Sequence, residues 1–197
     1  MTDYDKDLVV EKLNKWDGFL AEHALPSWEQ LPTFDLYMDQ VIILLSQYLG
    51  YLPQDDDGPR ITASIINNYV RMRVMPAPVR KKYSRIHIAY LIMICTLKQN
   101  LSISSIRKLL PNLQDEERIR AIYSRFTEIY EKATRFFCEN ARGAASDLMS
   151  ESGGDKDITD YIMSAAIVSN FAAYLAVKLI DLKNVRPQSA DAHESSN

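Results

Sequence analysis

Apolar residues recur every three or four positions along most of this chain, a period that predicts helices rather than strands. Leu8, Val9, Leu13, Trp16 and Leu20 mark a first helix over residues 3–23. A proline-bounded connector, LPSWEQLPTF, follows it. Leu36, Met38, Val41, Ile42, Leu45 and Leu49 mark a second helix, capped by Thr33 or Asp35 and stopped by Gly50. The acidic stretch PQDDDGP then breaks the pattern.

Thr62 is the expected N-cap of a short helix, ASIINNYVRM. Ile65, Ile66, Tyr69 and Val70 form its apolar face, and Ser64, Asn67, Asn68 and Arg71 the opposite one. Pro76 and Pro78 force their predecessors into extended backbone, so residues 75–83 cannot be helical. Ser84 caps a strongly apolar helix over 85–99, and Ser102 caps a short one, ISSIRKLL, that Pro111 ends. A long amphipathic helix is predicted over 115–140, then a small-residue connector, ARGAASDLMSESGGDK, then a last helix over 157–183. The polar tail, 185–197, has no periodicity and is expected to be disordered.

The last helix holds a run without charge, YIMSAAIVSNFAAYLAV. Its length sits at the lower end of the ~17–25 residues that span a bilayer. Ser164, Ser169, Asn170 and the many alanines make it weakly hydrophobic, so a buried core helix or a subunit interface is expected rather than a membrane span. The N-terminus, MTDYDKDLVV, is not a signal peptide by composition. Cys95 and Cys138 are far apart, match no metal or redox spacing, and are expected to be buried thiols of a cytoplasmic protein.

Charge alters this picture. Residues 58–114 contain no Asp or Glu and ten Lys or Arg, whereas the net charge of the whole chain is −3. Such asymmetry points to a polyanion-binding segment or to a basic face balanced by an acidic one. The order of elements supports the first. Helix, loop, short helix, proline-bearing basic turn, long helix is the order of a winged helix-turn-helix.

More narrowly, the segment resembles the DNA-binding domain of MerR-like regulators. The residues that carry this are the Thr62 cap, Tyr69, the exit VMP, the basic Arg80 to Lys82, and Tyr83-Ser84 before the next helix. Asn67 stands where that family usually has arginine, and Arg73 where it has glycine. The link between the first two helices is longer here, and the wing is short. The stretches LPSWEQLPTFDLYMDQV, ITASIINNYV and MPAPVRKKYSRIHIAYLIMICTLKQNLSISSI also resemble a bacterial family known as domain of unknown function 1836.

These readings give a mainly all-α fold. It comprises an N-terminal helix and connector (1–34), a MerR-like winged helix-turn-helix with a short wing (35–112), and a C-terminal helical hairpin (113–184). The expected function is sequence-specific binding of double-stranded DNA. The alternative is a non-enzymatic interaction module that keeps the fold and binds an acidic protein. Candidate DNA-binding residues are Arg60, Thr62, Ser64, Asn67, Asn68, Arg71, Arg73, Arg80, Lys81, Lys82, Tyr83 and Arg85. Asn suits adenine edges in the major groove, and Lys and Arg suit phosphates. His87 is expected to be structural, and Tyr69 and Tyr83 to pack at the core edge. Homodimerisation through the C-terminal helices is expected. No P-loop, GxGxxG, GxSxG or HExxH occurs, so no enzyme, cofactor or metal is expected.

Overall fold

The computed structural model describes residues 4–52, 61–149 and 158–184. Among them lie eight α-helices and no strand longer than an isolated bridge. In chain order these are α1 (Lys6–Asn14), α2 (Trp16–Glu22), α3 (Met38–Leu49), α4 (Ala63–Arg71), α5 (Arg85–Leu97), α6 (Ile103–Leu109), α7 (Glu116–Met149) and α8 (Ile158–Asp181). The expected all-α class is therefore observed.

α5 is the centre. Ile88, Ala89, Tyr90, Leu91, Ile92, Met93 and Ile94 are all fully buried, so it is apolar on every side because it is packed on every side. α3 covers it with Val41, Leu45 and Leu49, α4 with Ile66 and Tyr69, and α7 with Ile119 and Tyr123. The Tyr90 hydroxyl accepts from the Leu113 N–H at 2.9 Å and donates to the Pro111 carbonyl, which fixes the chain between α6 and α7. Cys95 and Cys138 are both buried and free, and burial pushes the Cys95 thiol up to about 12.

The connector before α3 is bolted to this core. Trp28 and Leu31 are buried, and the buried Tyr123 hydroxyl donates to the Pro26 carbonyl at 2.8 Å. Arg85 donates to the Leu31 carbonyl at 3.0 Å and lies 5.4 Å from the centre of the Trp28 ring.

Several boundaries differ from the sequence reading. The first helix is two, because the chain turns at Lys15, which closes α1 and opens α2. α3 starts at Met38 rather than near Thr33 or Asp35, since Leu36 exchanges both backbone hydrogen bonds with Tyr83 and must be extended. α7 runs on to Met149 through residues read as connector. Ala145 and Leu148 bury against Val10 of α1, and that packing outweighs the turn-like composition. The acidic stretch 53–60 and the tail 185–197 lie outside the described residues.

The largest departure is α8, which is not a buried core helix. Its most apolar window is 0% buried within this chain, and it is long and apolar enough to cross a membrane. Among the described residues, only its ends are held. Ile158 and Tyr161 pack beside Val10, Ala145 and Leu148, while Ala176, Val177 and Ile180 join the main core. Lys108 pairs with Asp181 at 2.8 Å, and the Lys183 ammonium donates to the Lys108 carbonyl at 2.8 Å.

Candidate nucleic-acid interface

α4 begins where the Thr62 hydroxyl accepts the Ile65 N–H at 3.3 Å, which satisfies one free donor of the first turn. Ile66 and Tyr69 face the core. Ser64, Asn67 and Arg71 are exposed, and their spacing of three and four places them along one stripe of the helix. Asn68 is half-buried. Its side-chain oxygen accepts from the Arg71 guanidinium at 2.7 Å, and its amide nitrogen lies 3.5 Å from the Met72 sulfur. Asn68 therefore orients Arg71 and is not bonded to the basic turn that follows.

The helix ends in a Schellman motif. The Val74 N–H donates to the Tyr69 carbonyl at 3.1 Å and the Arg73 N–H to the Val70 carbonyl at 3.0 Å. Arg73 occupies the left-handed position of this motif, at φ 56°. Glycine is the usual residue there, because it has no Cβ to crowd the backbone. The Asn112 side chain donates to the Arg73 carbonyl at 3.2 Å and secures the turn from outside.

After Pro76 and Pro78 the chain makes a two-residue reversal. The Lys82 N–H donates to the Val79 carbonyl at 2.9 Å, and the residues between them, Arg80 and Lys81, have φ of 51° and 62°. Positive φ at both central positions marks a type I′ turn, whose favoured sequence is Asn-Gly. Tyr83 then pairs with Leu36. His87 pins the outer arm: its Nδ1 accepts the Ser84 N–H at 3.0 Å, so its Nε2 carries the proton donated to the Ala77 carbonyl at 3.3 Å. Burial lowers the His87 pKa and keeps the ring neutral in this role.

Among the described residues, Arg73, Arg80 and Lys81 are the non-glycine residues with positive φ, and all three are basic and exposed. Left-handed backbone costs about 1–2 kcal/mol per residue with a Cβ. Replacing Arg80 by Asn and Lys81 by Gly should therefore raise stability in urea unfolding by about 1–2 kcal/mol. A drop in stability would contradict the turn assignment.

Two of the expected residues point inward. Tyr83 is 2% exposed and belongs to the core, and burial raises its hydroxyl pKa. Arg85 is committed to the connector carbonyls and Trp28. Tyr83 is closed to a docked ligand, while Arg85 is half-buried. Arg60 lies outside the described residues. Arg71, Arg73, Arg80, Lys81 and Lys82 remain at the surface, and among the described residues none of them pairs with a carboxylate. Lys82 sits 5.5 Å from the centre of the Tyr37 ring. The exposed Tyr37 has no marker in the sequence, since only the pairing of Leu36 with Tyr83 carries it beside the basic turn.

A family model described as "Domain of unknown function (DUF1836)" matches residues 26–132, more than half of the chain. The chain belongs to this family. The matched region of this DUF1836 protein contains the connector, α3 to α6, the basic turn and the first half of α7. No curated protein and no solved structure matches the chain.

Proposed function

We propose that this DUF1836 protein binds double-stranded DNA in a sequence-dependent way and acts as a transcriptional regulator in the cytoplasm. In this reading α3 and α4 form a MerR-like helix-turn-helix, and the turn at Arg80 and Lys81 is its short wing. α4 enters the major groove, where Asn67 and Ser64 meet base edges and Arg71 is aimed by Asn68. Arg71, Arg73, Arg80, Lys81 and Lys82 meet phosphates and set the register. The protein acts by binding, without catalysis.

One observation carries the reading. Left-handed backbone is spent on Arg73, Arg80 and Lys81, at positions where glycine or asparagine would be less strained. Backbone strain of this kind persists where the side chain serves a function. Here each strained residue presents an exposed cation without a carboxylate partner among the described residues.

The test is selection of bound fragments from mixed genomic DNA by the purified chain. A recurring short site is expected among the retained fragments. Retention without any enriched sequence would remove sequence-specific binding, and no retention at moderate salt would remove DNA binding. In the second case, capture of an acidic protein through the same cations becomes the better account.

A further inference from the structure

α8 is a strut about 36 Å long, at about 1.5 Å per residue, with both ends on the protein and a solvent-exposed middle. Residues 162–172 are all exposed, whichever side of the helix they occupy. The side turned towards the protein is defined by Ile158, Ala176 and Ile180, which pack at the two ends. At 100° per residue, Met163, Ile167, Phe171 and Leu175 lie on the opposite, outward side, four residues apart. They are 51%, 54%, 69% and 59% exposed. Asp160 and Lys178 lie on the same outward side, one at each end of this row.

We infer that this outward face packs antiparallel against the same face of a second copy of the chain, around a twofold axis that crosses the helix at the level of Ser169, between Ile167 and Phe171. Three observations select this occupant. The first is area. Five large apolar side chains on or beside this outward face, Met163, Ile167, Phe171, Tyr174 and Leu175, are half or more exposed, and together they present on the order of 600 Å². That lies at the upper end of a monomer's largest apolar patch, and two such faces together supply the ~1,200 Å² at which stable interfaces begin.

The second is charge. Asp160 and Lys178 are equidistant from Ser169 along the sequence, so the antiparallel twofold pairing brings Asp160 of each chain to Lys178 of the other. The same symmetry sets Met163 against Leu175 and Ile167 against Phe171. Among the described residues, neither Asp160 nor Lys178 makes a salt bridge within its own chain, and Lys178 lies 5.2 Å from the centre of the Tyr174 ring with its charge felt at Asp181. Nothing charged lies between them, so no charge is buried unpaired.

The third concerns the bilayer. A spanning helix must place its ends on opposite sides of roughly 30 Å of hydrocarbon. Both ends of α8 are instead bonded to one folded body, through Tyr161 to Asp147 at 3.1 Å and Asp181 to Lys108 at 2.8 Å. The pairing does not depend on DNA binding; where both hold, a twofold protein calls for a palindromic site.

Light scattering on the purified full chain should give a mass of about twice 22.6 kDa at micromolar concentration. Phe171→Glu should give monomer with unchanged helical circular dichroism, its dimer dissociation constant raised at least ~100-fold. Met163→Cys and Leu175→Cys chains, mixed in an oxidised-glutathione buffer, should cross-link to each other, and neither should cross-link alone. A monomeric wild-type chain, a Phe171→Glu dimer, cross-linking of Met163→Cys with itself, or recovery of the wild-type chain on phosphatidylcholine vesicles would each overturn the pairing.

Discussion

Reversing the charge at Arg80, Lys81 and Lys82 together is expected to weaken binding to mixed DNA fragments by at least ~100-fold near 100 mM salt. The fold should survive, because Arg80 and Lys81 are exposed, Lys82 is half-exposed, and none of them makes a salt bridge among the described residues. Each cation that meets a phosphate releases condensed counterions, and each contributes about −0.9 to the slope of log K against log salt. Removing three of the five surface cations should therefore flatten the slope from about −4.5 to about −1.8 per protomer. Unchanged affinity in a variant with native circular dichroism would exclude the basic turn from binding. The variant also separates the two partner classes, since an acidic protein and DNA both lose attraction but only DNA shows the counterion slope.

Tyr123→Ala should cost about 3–5 kcal/mol in urea unfolding, a large share of the ~5–15 kcal/mol that holds a typical domain. Two losses combine. The ring is fully buried, 6.1 Å from the Trp28 ring centre, so truncation leaves a cavity between α7 and the connector. The hydroxyl also satisfies the buried Pro26 carbonyl. Tyr123→Phe keeps the ring and strands only the carbonyl, at about 1–3 kcal/mol. The connector held here is the one that Arg85 grips at the start of α5, directly after the basic turn. Loosening it should also reduce DNA affinity, beyond what the unfolded fraction explains. Equal costs for Ala and Phe would contradict the cavity account.

Local chemistry was the legible part of this chain. Thr62, Ser84 and Ser102 cap their helices because a short polar side chain before an apolar run has one favourable use. The prolines placed the irregular turn correctly, and the continuous apolar run of α5 marked the centre of the core. Properties set by distant packing were not legible. Tyr83 packs inward as its aromatic ring leads one to expect, but Arg85 belongs by composition to the basic segment, and only Trp28 and the connector carbonyls, far earlier in the chain, draw it towards the core. α7 outran its expected end because α1 offered Val10 to its last turns. The uncharged run of α8 read as a buried core helix or a subunit interface, and periodicity could not choose between them because it cannot say whether neighbours exist on all sides. The type I′ turn was hidden for the opposite reason, since Arg-Lys stands where Asn-Gly would have announced it.

The central claim is that the cations of this segment meet DNA phosphates. Its most direct test is the binding constant of the wild-type chain for mixed duplex DNA, titrated from about 50 to 200 mM salt. The five surface cations, Arg71, Arg73, Arg80, Lys81 and Lys82, predict a straight log–log line of slope about −4.5 per protomer. A slope near zero, or no binding at the lowest salt, would contradict it.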